Sequence, residues 1–313
     1  MHRTSDQIPL VVTGITREST RILSIDLSAP DGAELPPWEP GAHIDVQLIT
    51  RHQRQYSLCG DHRDRHAYRI AVLREDLSRG ASMYIHDFLR VGSPVRARAP
   101  RNLFPLVPAD EHLLLAAGIG ITPLLPMAHQ LHDAGTPWSL RYAARHAADV
   151  PFARELDDLG PDVTIHAGDR DGRLDLNALL TDVRPGTAVY ACGPSRFLAA
   201  VDDAMTTWPT GALHLERFEP KVLLTRPNTP FTVRTARSGI TVEVPADRSM
   251  LQALTGRDLR IGGSCHRGVC GTCAVTVVEG DIEHRDSLTT DPASRVMYPC
   301  VSRATTAEIV VDL

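Results

Sequence analysis

Long apolar runs are missing from the start of this 313-residue sequence: Met1-His2-Arg3-Thr4-Ser5-Asp6-Gln7 is polar, and the first apolar stretch is only Ile8 to Val12. That is too short for a signal-peptide core or a membrane span, so the expectation is a protein of the reducing cytoplasm. An excess of basic charge is missing too. Lys and Arg number 33 against 38 Asp and Glu, a net charge of −5, which leaves no footprint for nucleic acid. There is no internal repeat and no low-complexity tract. Among 14 histidines none forms a His-Glu-x-x-His or comparable ligand pair, and His43 reads as structural. With 42% hydrophobic and 23% charged residues, the chain is globular in composition and long enough for two or three domains.

Cysteine is scarce, six residues in all, yet three fall within nine positions of Ser264-Cys265-His266-Arg267-Gly268-Val269-Cys270-Gly271-Thr272-Cys273. With Cys300 they make the spacing C-x4-C-x2-C plus a distant fourth, the pattern of plant-type 2Fe-2S clusters. Gly262, Gly263, Gly268 and Gly271 let the backbone bend around the sulfurs and aim amide N–H groups at a net-negative cluster. Structural zinc usually takes two short knuckles. Only one is present here, and 26 residues separate Cys273 from Cys300. Cys265, Cys270, Cys273 and Cys300 are the expected iron ligands. Cys59 and Cys192 remain, too few for a disulfide framework.

From Pro9 to about Arg98 the pattern is of short strands: Val11-Val12, Arg21 to Leu27, His43 to Leu48 and Tyr68 to Leu73. Ile44, Val46 and Leu48 alternate as on a half-buried strand, and the regular spacing favours an antiparallel barrel or sandwich. One helix is expected over Ala81 to Arg90. From His112 the period changes. Leu113-Leu114-Leu115-Ala116-Ala117 suits a buried parallel strand and leads into an apolar helix, Leu124 to Leu131. Strands at Trp138 to Ala143, Val163 to His166 and Ala188 to Cys192 alternate with helical stretches Pro151 to Leu159 and Ser195 to Thr207, which argues a parallel sheet. Residues 219 to 230, with Pro220, Pro227 and Pro230, read as a linker. Beyond it, Phe231 to Val233, Ile240 to Val244, Ala274 to Val278 and Glu308 to Val311 are strand-like around a helix at Met250 to Leu254.

Four motifs carry chemistry. Arg54-Gln55-Tyr56-Ser57 follows Pro40-Gly41-Ala42-His43, and strand alternation sets Arg54 and Tyr56 on one face. Ser78-Arg79-Gly80-Ala81-Ser82 precedes a helix, where backbone N–H groups and the dipole favour an anion. Gly118-Ile119-Gly120-Ile121-Thr122-Pro123 joins strand to helix without the third Gly of the dinucleotide fingerprint. Cys192-Gly193-Pro194 ends a later strand, where open α/β sheets bind ligands. His284-Arg285-Asp286 reads as a solvated turn that helps hold the segment leading to Cys300.

Through these motifs the chain resembles the reductase components of aromatic-ring oxygenase systems, the family of phthalate dioxygenase reductase and the vanillate demethylase reductase subunit, over nearly its whole length. The resemblance implies a multidomain chain: an antiparallel β-barrel that binds FMN (1–105), an α/β parallel-sheet NAD domain (106–220), a linker (221–230) and a β-grasp-like α+β ferredoxin domain (231–313). It implies that Arg54 pairs with the flavin phosphate, Tyr56 packs on the isoalloxazine and Ser57 hydrogen-bonds near its reactive N5. Gln55 belongs to the same segment. Val72 and Leu73 line the flavin, and Gly80, Ala81 and Ser82 hold its phosphate, with Ala81 replacing the family's second Gly; the compact loop favours FMN over FAD. Gly118, Gly120 and Thr122 take the pyrophosphate. Cys192, Gly193 and Pro194 flank the nicotinamide, with Cys192 as a soft neighbour and not a nucleophile. Phe218, in Glu216-Arg217-Phe218, reaches the flavin. NADH is the implied donor, although Arg141 and Arg145 lie near where NADPH-preferring relatives place cations.

Electron counting joins these sites. A nicotinamide gives two electrons together, a cluster accepts one, and a flavin mediates. The sequence has no Rieske Cys/His pairs, no facial triad and no haem site of its own, so the expectation is a monomeric NADH-dependent reductase serving a separate oxygenase. The alternatives are a donor to a haem-thiolate monooxygenase and a redox sensor or carrier without turnover. Arg260 and Arg267 lie near the cluster, yet residues 231–313 hold nine Arg against ten Asp and Glu, so docking should rest on shape and a few ion pairs.

Overall fold

Short apolar alternations in the first hundred residues do what a period of two dictates and pair into one curled antiparallel sheet. The computed structural model describes residues 7–48, 53–75, 80–255, 257, 259 and 261–313. The first strands are β1 (Gln7–Arg17), β2 (Ile22–Ser28), β3 (Ala42–Gln47), β4 (Gln53–Ser57) and β5 (Tyr68–Leu73). A helix, α1 (Ala81–Phe88), precedes β6 (Pro94–Arg98) and β7 (Arg101–Asn102). The order is β4-β3-β6-β1-β2-β5, with β7 paired to β3. The outer strands meet through an antiparallel bridge between Leu58 and Ile70, so the sheet curls toward a barrel. Leu10, Ile25, Ile44, Val46 and Ile70 fill it, and Ile85 of α1 joins the same core. The sequence offers little sign of β6, which forms because its Val95 and Ala97 are buried between β1 and β3.

From Glu111 the strands run parallel. They are β8 (Glu111–Ala117), β9 (Trp138–Ala144), β10 (Val163–Ala167), β11 (Thr187–Cys192) and β12 (Leu213–Glu216), ordered β10-β9-β8-β11-β12. Between them lie α2 (Ile121–Asp133), α3 (Ala153–Asp158), α4 (Gly168–Asp171), α5 (Leu176–Leu180) and α6 (Ser195–Ala204). Strand β8 is apolar from Leu113 to Ala117 because both faces are covered there. Leu113 and Leu115 pack with Val189 and Ala191 against α5 and α6, while α2 packs against β8, β9 and β11. The order reverses between β8 and β11, the switch point at whose carboxyl ends open α/β sheets bind ligands.

The chain divides into two compact units, Met1–Glu216 and Arg217–Leu313. Polar bonds stitch the two sheets of the first unit. Arg69 on β5 donates to Glu155 of α3 at 2.6 and 2.8 Å and lies over the Phe152 ring. Thr20 donates to Asp149, and Arg63 to Asp133, both at 2.9 Å.

The second unit contains β13 (Phe231–Thr235), β14 (Thr241–Val244), α7 (Met250–Leu254), β15 (Val275–Glu279), β16 (Ile282–Glu283), β17 (Val296–Met297), β18 (Arg303–Ala304) and β19 (Glu308–Val311). The sheet order is β14-β13-β19-β15-β17, with β13 and β19 parallel and the other neighbours antiparallel, the β-grasp arrangement. A capping box between Ser249 and Gln252 starts α7. The segment expected to be a plain linker groups with this unit and is bonded to it. Lys221 N–H donates to Ser287, Arg226 N–H to Glu283, and Arg285 to the Arg226 carbonyl and to Asn228.

The bond between Arg69 and Glu155 makes stability depend on acid. Burial raises the Glu155 carboxyl, but hydrogen bonds from His129 and Arg69 outweigh it and hold the group at about 2. Its contribution is therefore present above the ordinary value of 4.5 and is lost as pH falls through about 2. Arg69→Ala should cost about 2 kcal/mol near neutral pH, less than a fully buried pair because Glu155 keeps contact with water, and should flatten that acid dependence. Urea unfolding at several pH values measures both; an unchanged acid limb would refute the assignment.

Candidate functional site

Strand β4 presents Arg54, Gln55, Tyr56 and Ser57 in register with Val46, Asp45, Ile44 and His43 of β3. Arg54 and Tyr56 share a face, as the alternation implies. Tyr56 packs against the barrel core. Burial pushes its hydroxyl above the usual phenol range, with Arg54 opposing and Glu75 adding to the rise. Glu75 lies just past β5, and its N–H donates to Ser82 Oγ at 3.4 Å. The end of β5 thus links β4 to the first turn of α1. Gly80 precedes that turn at φ 99°, a left-handed conformation natural to glycine, and among the described residues no side chain caps the helix. Ala81 and Ser82 are buried there. First-turn amides suit an anionic oxygen. Ser78 and Arg79 lie outside the described residues, as does Arg260. The Val72 carbonyl is 2.9 Å from His86 Nε2 and so is anchored to α1, while Leu73 is partly exposed. Gln55 Nε2 is buried with no hydrogen-bond partner among the described residues, a donor that a bound group would satisfy.

His43, opposite Ser57, is structural. Burial, reinforced by Arg101, lowers its imidazole to about 4 against the pull of Asp45, and Arg101 binds the buried Asp45 at 3.0 Å.

At the switch point two loops interlock. Gly118-Ile119-Gly120 forms a single 3-10 turn, with Gly118 at φ +54°. A Cβ on Gly120 would fall 2.2 Å from the Cys192 carbonyl oxygen, and one on Gly193 would fall 2.8 Å from the Ala117 Cβ. Neither position accepts a side chain without moving the other loop. Thr122 Oγ1 donates to the Ile119 carbonyl and Tyr142 to the Gly118 carbonyl, both at 3.0 Å, which fixes the turn from two sides. Pro194 precedes α6. Arg141 points a guanidinium N–H at the Leu140 carbonyl, and Arg145 is exposed beyond β9.

The same corner holds a residue that the motifs did not single out. Glu216, at the end of β12, stands opposite Cys192 in the sheet and accepts a hydrogen bond from Ser57 Oγ at 3.4 Å. Burial pushes its carboxyl up to about 8, with the Ser57 bond pulling the other way. A carboxyl in that state can hold a proton near neutral pH. Cys192 is fully buried, and burial, then the Glu216 charge, raises its thiol. Phe218 is partly buried two residues further on, in the part of the chain that groups with the second unit.

In the second unit the four thiols pair two and two. The side chains of Cys265 and Cys270 lie within hydrogen-bonding reach of each other, as do those of Cys273 and Cys300. Backbone N–H groups converge on the sulfurs: Arg267 N–H reaches Cys265 Sγ at 3.3 Å, and Gly268 N–H reaches Cys300. Among the described residues no three His, Cys, Asp or Glu side chains gather where one ion could sit. Two thiol pairs ringed by amides suit a dinuclear cluster better than a single zinc. The turn expected to be solvated is instead buried: Asp286 is 4% exposed, and the His284 and Arg285 side chains 13% and 12%. Bonds from the surrounding backbone and from Ser302 draw it inward.

The 2Fe-2S iron-sulfur cluster binding domain family matches residues 233–305. Phthalate dioxygenase reductase from Burkholderia cepacia is 40% identical over 299 residues, covering 93% of each chain. The solved structure of phthalate dioxygenase reductase, described as modular for electron transfer from pyridine nucleotides to [2Fe-2S], superposes with a TM-score of 0.72 at 39% identity over 98% of both chains. An intact type IV self-sufficient cytochrome P450 monooxygenase gives a TM-score of 0.92 at 39% identity, covering 98% of this chain and 41% of that longer one. The chain belongs to the phthalate dioxygenase reductase family, the reductase components of oxygenase systems.

Proposed function

We propose that this reductase takes electrons from NADH, passes them through FMN and a 2Fe-2S cluster, and delivers them to a separate oxygenase of the Rieske type that acts on aromatic rings or O-methyl groups. The domain limits 1–105, 106–220 and 231–313 are part of this proposal. The observation that carries it is the corner where Ser57 of the barrel bonds to Glu216, beside Cys192 and the interlocked glycine loops. When bound, a flavin there takes two electrons as hydride and releases them singly to a one-electron cluster. The chain's own residues bind and orient. Arg54 and the first turn of α1, with Gly80, Ala81 and Ser82, supply charge and amides for a phosphate. Tyr56, Val72 and Leu73 supply a surface for the ring, and Gln55 a buried donor. Gly118, Gly120, Thr122, Gly193 and Pro194 let a pyrophosphate and a nicotinamide approach the backbone at the switch point. Ser57 and Glu216 hold a proton beside Cys192, and Phe218 is proposed to close against the ring. Cys265 and Cys270 would hold one iron, Cys273 and Cys300 the other.

A carrier without turnover has no use for two loops interlocked at a nicotinamide site. Donation to a haem-thiolate monooxygenase is favoured by the likeness to the self-sufficient P450, and an acceptor screen separates it from the Rieske reading.

Three outcomes test the proposal. Cys300→Ser removes one iron ligand: NADH oxidation by ferricyanide should largely survive, whereas reduction of a one-electron protein acceptor should fall by more than about tenfold. Persistence of protein-acceptor reduction in a cluster-free variant would make the flavin the exit. Arg54→Ala should weaken flavin retention by about tenfold, and acid-released flavin should chromatograph as FMN; recovery of FAD alone would overturn the choice of cofactor. Glu216 gives a pH signature. Its carboxyl is raised, so the stability that it contributes is full below the ordinary value of 4.5 and is lost as pH rises through about 8. Urea unfolding should therefore show Glu216→Gln gaining about 2 kcal/mol on the wild type between about pH 5 and about pH 9, and no gain would refute the buried acid.

A further inference from the structure

Asp286 has no part in the electron path described above, yet it is the most deeply buried carboxylate of the second unit, with its side chain 0% exposed. Every partner it has is a donor. Leu288 N–H reaches Oδ1 at 3.0 Å, Thr289 N–H reaches the same oxygen at 2.7 Å, and Ser302 Oγ donates to Oδ2 at 3.1 Å. His284 Nδ1 lies 3.8 Å from Oδ2. A buried charge held by three dipoles, with no guanidinium or ammonium in an ion pair with it among the described residues, is costly to keep, so its persistence calls for a reason.

Its neighbours are the cluster loop. A Cβ on Gly268 would come within 3.0 Å of the Cα and Cβ of Asp286, and Ser287 N–H donates to the Gly268 carbonyl at 2.9 Å. Gly268 in turn aims its own N–H at Cys300. Ser302, which holds Oδ2, lies two residues beyond Cys300.

We propose that Asp286 is a positioning residue whose fixed negative charge lowers the reduction potential of the cluster held by Cys265, Cys270, Cys273 and Cys300; the inference rests on the iron-sulfur reading of that site. Reduction adds negative charge, and a buried carboxylate nearby opposes it in a medium that screens poorly. Two effects of opposite sign are separable here. Loss of the charge raises the potential. Loosening of the Gly268 N–H from the Cys300 sulfur, which is all that a purely structural role predicts, lowers it, because hydrogen bonds to sulfur stabilise the reduced state.

The experiment is a redox titration of the full-length holoprotein, followed by the electron paramagnetic resonance signal of the reduced cluster, in wild type, Asp286→Asn and Asp286→Ser. Asparagine keeps the shape, and serine keeps an acceptor for the turn amides. In a neutral variant that retains the wild-type signal shape, the midpoint should move upward. An unchanged or lower midpoint overturns the inference, and so does loss of the cluster from both variants, which would make Asp286 a folding residue. A wild type that carries no iron-sulfur signal at all would overturn the reading of the four thiols itself, an outcome distinct from the others.

Discussion

Two backbones touch at the carboxyl ends of β8 and β11 with no side chain between them, and the chemistry of the first unit depends on that contact. Gly120 sits against the Cys192 carbonyl and Gly193 against Ala117, so each loop sets the position of the other. The contact holds Cys192 at the end of its strand, directly across from Glu216. Glu216 then reaches Ser57 of the barrel. Polar bonds through Arg69, Arg63 and Thr20 hold barrel and sheet as one body, so this corner does not drift. Packing at this corner strips water from the Glu216 carboxyl in part, and that desolvation raises it.

The second unit solves a different problem. Its cluster loop has little regular structure and few apolar side chains with which to pack. Polar anchors replace packing: Asp286 draws in the turn amides and Ser302, while Arg303 donates to the Arg248, Thr229 and Pro245 carbonyls and covers the Phe231 ring. Arg285 ties down residues 226 and 228 in the same way. Unpaired carbonyls of irregular backbone are costly to bury, and a guanidinium with several donors satisfies them together. The proline-rich segment before Phe231 is therefore fastened to the ferredoxin unit by its backbone, even though Val222 and Leu224 remain exposed.

Local chemistry was legible in the linear sequence where spacing alone constrains it. Cysteine spacing marked the four thiols, alternation marked β3 and the shared face of Arg54 and Tyr56, and the run from Leu113 to Ala117 marked a strand covered on both sides. Turn glycines marked both loops at the switch point. Each of these signals lies within a few residues, so period and residue type suffice to read it. What only the tertiary structure decided were the meetings of distant residues. Strand β6 earns its pairing from neighbours far away in sequence, Glu216 becomes a buried acid only once Ser57 and Cys192 surround it, and Asp286 looks solvated until the cluster loop closes over it. Burial and long-range pairing are properties of the assembled fold, and a charged residue's sequence neighbours carry no record of the dielectric in which it will sit.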